Sequence, residues 1–254
     1  QGAVNRLSGT PTLDLAVAVK PVDLARLAYL LPSARRVEGT LEGQLRLTGP
    51  VEKPLYAGGF TVRNGLIEMR GTPLALSELE VDVKLDNAGL NIEKATARVG
   101  TGSVSATGLV PLNGFTPESF RGKLDAKDVA WPVARGVDVT VDAELEALWD
   151  PKEDNQEDRA LPRVTGEVSI ESFEYSRAVT MNADISSLTG RPKRTEFESY
   201  DPDKEVVELD VLVTSKGPLK LNNNLIEANL DLEPPGLRLT GTNQRFGLKG
   251  NMKV

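Results

Sequence analysis

With 254 residues and a net charge of −7, the chain is long enough for one large domain or two smaller ones. Its unclustered basic residues give phosphate backbones and anionic headgroups nothing to bind. Neither cysteine nor histidine is present, which removes disulfides, thiolate zinc sites, imidazole ligands and histidine general bases, and with them most common enzyme classes.

Taken in chain order, apolar residues recur at every second position with small or polar residues between them, which is strand patterning. The first such run is Leu13, Leu15, Val17 and Val19. Residues 20–32 then switch to a helical period, with Leu24, Leu27, Ala28 and Leu31 on one face, Asp23 as N-cap and Pro32 as stop. This short amphipathic helix either seals apolar sheet or acts as a lid or membrane-contacting element. Alternation resumes at Leu41, Leu45 and Leu47, and Asn64-Gly65 reads as a two-residue hairpin pairing Val62 with Ile67 and Phe60 with Met69. Leu79, Val81, Val83 and Leu85 form the next run, and a turn over Asp86–Gly89 sets Leu85 against Leu90 and Val83 against Ile92. A turn over Gly100–Ser103 pairs Val99 with Val104 and Ala97 with Ala106.

Further runs are Val137, Val139, Val141, Ala143 and Leu145, then Leu209, Val211 and Val213, then Ile226, Ala228, Leu230 and Leu232. A turn over Asn222–Leu225 pairs Leu221 with Ile226 and Leu219 with Ala228. Residues 113–119 read as irregular, and 150–160 and 189–204 as charged loops. The chain closes on Leu248, Gly250, Met252 and Val254 in alternation, which is expected of a fragment of something longer. No apolar run approaches the roughly 18 residues of a spanning helix, so any membrane anchor is expected outside this stretch.

No catalytic motif emerges. Gly100-Thr101-Gly102 lacks the Lys-Ser or Lys-Thr pair of a phosphate-binding loop, no serine sits in a nucleophile elbow, and the acidic run Asp150–Arg159 lacks calcium-loop spacing. The expectation is a non-enzyme that takes no cofactor and no metal and binds no nucleic acid.

A dry face is ordinarily covered by another, in a sandwich or a closed barrel. Here the dry residues are mostly Val, Leu, Ala and Gly, with only six Phe, two Trp and four Tyr in the chain, so large plugs are scarce. Open sheets beyond about ten strands curl. The predicted fold is therefore all-β: residues 1–254 form one continuous antiparallel meander sheet curled into an open hydrophobic groove, with one short helix. The predicted lining is Leu13, Leu15, Val17, Val19, Leu45, Leu47, Phe60, Val62, Ile67, Met69, Val81, Val83, Leu85, Val99, Val104, Val137, Val139, Val141, Leu209, Val211, Val213, Leu219, Leu221, Ile226 and Leu230. Phospholipid acyl chains are the expected filling.

The stretch Val37–Val110 resembles the TamB family, which belongs with AsmA-like and other bridge-like lipid transfer proteins. The resemblance is carried by Gly39-Thr40-Leu41-Glu42-Gly43, Leu47-Thr48-Gly49-Pro50 with Pro54, and Gly58-Gly59-Phe60-Thr61-Val62-Arg63-Asn64-Gly65-Leu66-Ile67. Pro162-Arg163-Val164-Thr165-Gly166-Glu167-Val168 echoes it, and the tail from Leu209 to Gly250 is similar to the family's C-terminal segments. The resemblance implies a protein anchored in the inner membrane and crossing the periplasm of a Gram-negative bacterium. Its groove would conduct phospholipid towards the outer membrane, or it would serve outer-membrane protein assembly with an Omp85-type barrel such as TamA. The charged inserts at Asp150–Arg159 and Thr189–Lys204 depart from the family's rhythm.

Overall fold

The computed structural model describes residues 2–5, 11–70, 74–134, 137–151, 160–176 and 204–253. The first half of the chain comprises β1 (Gly2–Asn5), β2 (Thr12–Asp23), a 3-10 helix (Leu24–Leu30), β3 (Ala34–Pro50), β4 (Leu55–Met69), β5 (Ala75–Asp86), β6 (Gly89–Val99) and β7 (Gly102–Val110). A finger of two-residue strands, β8 (Leu112–Asn113) and β9 (Thr116–Pro117), leads into β10 (Phe120–Ala134), β11 (Val137–Trp149) and β12 (Arg163–Tyr175). The last elements are β13 (Glu208–Ser215), β14 (Leu219–Asn222), β15 (Glu227–Leu232), β16 (Leu237–Thr242), β17 (Phe246–Lys249) and β18 (Met252–Lys253).

Sixteen of these strands make one curled sheet whose order starts at β1 and ends at β17, so it does not close into a barrel. At about 4.8 Å per strand its long path measures on the order of 60 Å. As expected, β1 to β12 form an antiparallel meander, interrupted only by the β8–β9 finger. The meander then breaks. β13 lies parallel to β12, from Arg163 opposite Glu208 to Ile170 opposite Ser215, and β14 continues along the same edge, with Tyr175 opposite Leu221. A two-residue period marks which face a side chain occupies and carries no information on strand direction, so this parallel joint left no trace in the pattern. Beyond it, β16 pairs with β13 and β15 with β14, while β17 and β18 follow in the same way.

The turns correct three of the four expected registers. Asp86–Gly89 is as predicted, with Leu85 opposite Leu90 and Val83 opposite Ile92, and the Asp86 carboxylate accepts from Ala88 N at 2.9 Å. The next hairpin is tighter than expected: Val99 faces Gly102 and Ala97 faces Val104. The Asn222 hairpin is wider, with Leu221 opposite Ala228 and Leu219 opposite Leu230, because the Asn223 side chain gathers Leu225 N and Ile226 N into the turn. Both are shifts by two, so the apolar residues stay on their face. Asn64-Gly65 is no hairpin. It sits inside β4 as a bulge, with Asn64 at φ 53° and the strand continuing to Met69. Val62 consequently faces Leu41 and Val81, and Ile67 faces Val37 and Leu76. A two-residue hairpin of this kind needs positive φ at both residues, whereas a bulge accommodates it at one, and of this pair Asn64 alone has it.

Bulges recur across the sheet, in β2 at Val19/Val22, in β5 at Ser77/Glu80, in β6 at Ile92/Ala95 and in β10 at Ala126/Val129. Each inserts one residue, bends its strand and increases the local twist, which is how so long a sheet acquires its curl. At β4 the Arg63 guanidinium donates to the carbonyls of Val62 (2.9 Å) and Val81 (3.3 Å) and to Asp82 (2.5 Å). At β10, Asp142 accepts from Asp128 N at 2.7 Å, and that bond lowers its pKa.

The helix is shorter than residues 20–32, because Lys20–Asp23 still belong to β2. Asp23 caps it as expected, accepting from Ala25 N at 2.9 Å. Seven residues do not repay the nucleation of a regular α-helix, and a 3-10 turn serves as the connector. The loops expected at 150–160 and 189–204 lie almost wholly outside the described residues.

Candidate functional site

Residues directly opposite on neighbouring strands share a face, so the pairings can be followed from one edge of the sheet to the other. One row runs Val22, Leu41, Val62, Val81, Ala95, Ala106, Leu124, Leu145, Gly166, Val211, Leu239 and Leu248. Every member is apolar or glycine. The next row is the same in character, from Val19 and Gly43 through Phe60, Val83 and Ile92 to Leu209 and Gly241. Both rows pass through the β11–β12–β13 region without a gap, so the connections carrying the charged inserts leave the sheet pairing intact.

The most buried hydrophobic residues, Ala34, Val37, Leu47, Tyr56, Ala97, Val99, Val129, Val139, Ala143 and Val211, all belong to this face. Yet among the described residues no side chain is fully buried and no polar or charged residue is buried. A sandwich core would bury its Leu and Val side chains completely. Here they are mostly half-exposed, shielded by one another in a curled single layer. The predicted lining residues all fall on this face except Ile226, which stands 55% exposed in the β14–β15 turn. Towards the β17 edge the wall opens out, and Phe246 and Leu248 are 64% and 61% exposed.

The sequence reading missed the part played by the β8–β9 finger. It leaves the β7 rim and reaches back towards β4, where Tyr56 donates its hydroxyl hydrogen to Gly114 O and meets the Phe115 ring edge-on at 6.1 Å. Tyr56 stands opposite Leu47 on the apolar face, so the finger closes the rim beside the short β5–β6 turn. Burial there raises the Tyr56 pKa, keeping it a donor.

The opposite face is polar. A hollow of about 910 Å³ lies over it, bordered by Glu80, Thr96, Ser105, Asp125, Glu144 and Glu167, and no group of three or more acidic residues among those described is arranged to hold a metal ion. Ion pairs stitch the parallel joint on this side. Asp210 pairs with Arg238 at 2.7 Å and Arg163 at 3.0 Å, and Lys216 pairs with Glu171 at 2.6 Å and Asp142 at 3.6 Å. Among the described residues no helix is long and apolar enough to cross a membrane.

No curated protein and no solved structure matches the chain significantly. The family model for the TamB C-terminal domain matches residues 93–254, from the middle of β6 through the parallel joint to the last strand. That span covers well over half of the sequence, including the tail whose glycine-spaced strands resembled the family, and the chain belongs to the TamB family.

Proposed function

We propose that this chain carries phospholipid passively between membranes, the acyl chains lying in the groove and sliding across its successive strands. The observation that supports the reading is the uncovered apolar row from Val22 to Leu248, unbroken by any polar side chain. A sixteen-carbon chain laid against such a surface gains on the order of 10 kcal/mol, at about 0.8 kcal/mol per CH₂. Equivalent positions along the row differ little in energy, so movement needs no catalytic group and the chain is read as a non-enzyme without cofactor. TamB-family membership fits a location in the Gram-negative envelope and a role in envelope protein assembly or lipid transport. In the full reading the groove crosses the periplasm and is held at the inner membrane by a segment outside this stretch.

A second reading is supported by the β17 edge, which no further strand among the described residues pairs and where Phe246 and Leu248 stand exposed. An outer-membrane β-strand delivered to an Omp85-type barrel could pair there. Photo-crosslinkers at Val83 and Leu124, both on the apolar face and away from the edges, separate the two. Capture of phospholipid from an envelope preparation is the expected outcome; capture of polypeptide alone at both positions overturns lipid carriage in favour of the scaffold.

A further inference from the structure

An open trough lined by phenylalanine would narrow wherever a ring stood upright, and the glycines of the apolar face determine whether it does. Gly108 of β7 and Gly122 of β10 are directly opposite one another. A methyl group placed on Gly122 would lie 2.7 Å from Cζ and 3.3 Å from Cε1 of Phe120, and one placed on Gly108 would lie 3.4 Å from Cε2 of the same ring. The Phe120 ring therefore lies down over the glycine pair, occupying the space two side chains would have taken. The arrangement is repeated at the other end of the row, where Gly43 faces Phe60 and a methyl on Gly43 would meet Phe60 Cδ1 at 2.6 Å. Neither glycine under Phe120 has a positive φ, so backbone conformation does not demand glycine there. At Gly122 what demands it is the ring, whereas at Gly108 a methyl would only touch the ring's edge.

We propose that the Gly108–Gly122 notch is a clearance-setting element of the groove: by seating Phe120 flat it keeps the trough deep enough for acyl chains as they pass β7 and β10. The inference rests on the lipid-carrying reading and assigns Phe120 and its two glycines a positioning role within it. Filling the notch lifts the ring into the path without adding charge or breaking a sheet hydrogen bond. At Gly122 the obstructing atoms are the ring itself and Thr107 O at 3.3 Å, so the ring is what must move. Gly43 is unsuitable for the test, because a methyl there also strikes the Gly59 carbonyl.

The test measures transfer of pyrene-labelled phosphatidylcholine from dioleoylphosphatidylcholine vesicles to the chain, for the wild type, Gly122→Ala, Phe120→Leu and the double variant. Gly122→Ala is expected to keep its melting temperature and circular dichroism yet bind the probe about fourfold more weakly for each methylene it unseats. Phe120→Leu is the reference for the double variant, which is expected to bind within about twofold of Phe120→Leu alone, since a smaller side chain clears the filled notch. Equal binding by wild type and Gly122→Ala, or no rescue by Phe120→Leu, overturns the notch while leaving lipid carriage standing. A wild-type chain that takes up no probe overturns lipid carriage and the notch with it. Should Gly122→Ala fail to fold, Gly108→Val is read in its place: its Cβ already stands at contact distance, 3.4 Å from Phe120 Cε2 with no backbone atom nearer than 3.5 Å, and its two further methyls fill the notch beneath the same ring.

Discussion

Asp210 sits where β12, β13 and β16 meet on the polar face, accepting from Arg238 at 2.7 and 2.9 Å and from Arg163 at 3.0 Å. The hydrogen bond from Arg238, reinforced by Arg163, outweighs desolvation and holds its pKa down to about 2. A carboxylate depressed in the folded state adds stability above its unfolded pKa of about 3.9 and loses that contribution as pH falls through the folded value. The expected outcome is a melting-temperature gap between wild type and Asp210→Asn that is constant at neutral pH and closes between about pH 4 and about pH 2. Both arginines are more than half exposed, at 57% and 63%, so the gap is expected to be small and to shrink further with added salt. A gap that persisted at the acid end would mean that Asp210 acts through shape and not through its charge.

The bulges are the elements that the sequence displayed and that alternation alone misread. In each bulged strand the apolar spacing steps from two to three, as at Val19 to Val22, Val62 to Gly65, Leu76 to Leu79, Ile92 to Ala95, Ala126 to Val129 and Ile170 to Phe173. Each step encloses two residues, at least one of them charged, which is what keeps the same face dry after the register slips. Asn-Gly serves a hairpin and a bulge alike, and what separates them is the partner strand: β3 and β5 both run past Asn64 and hold β4 extended. At φ 53° a β-branched side chain is strained, so Asn64→Val is expected to destabilise the chain by about 1–2 kcal/mol while Asn64→Gly stays near neutral. Chemical denaturation of the two variants checks this. Equal stability would show that the bulge relaxes out of the left-handed region at little cost.

Fold class and the identity of the dry face were legible because both depend on the two-residue period, whereas strand direction and the closing of the β7 rim depend on contacts between residues far apart in sequence. The parallel joint is the main consequence. In a single curled layer the extensive contacts of each strand are with its sheet neighbours, so stability approximates a sum of local terms and the sheet is expected to open in segments. Parallel pairing is slightly weaker per residue than antiparallel, and beyond the joint the strands shorten to the four to eight residues of β13 to β17. What ties that region back is polar: Lys216 reaching Glu171 and Asp142, Thr214 donating to Glu167 at 2.8 Å, and the Asp210 pairs. Hydrogen exchange followed by mass spectrometry is therefore expected to report earliest exchange in β14 to β18 and latest in β4 to β7, β10 and β11. Lys216→Ala should speed exchange from β13 onward, with little change in β3 to β7. If every peptide exchanged at one common rate, or Lys216→Ala accelerated all of them equally, the sheet would be a single cooperative unit and the joint would not divide it.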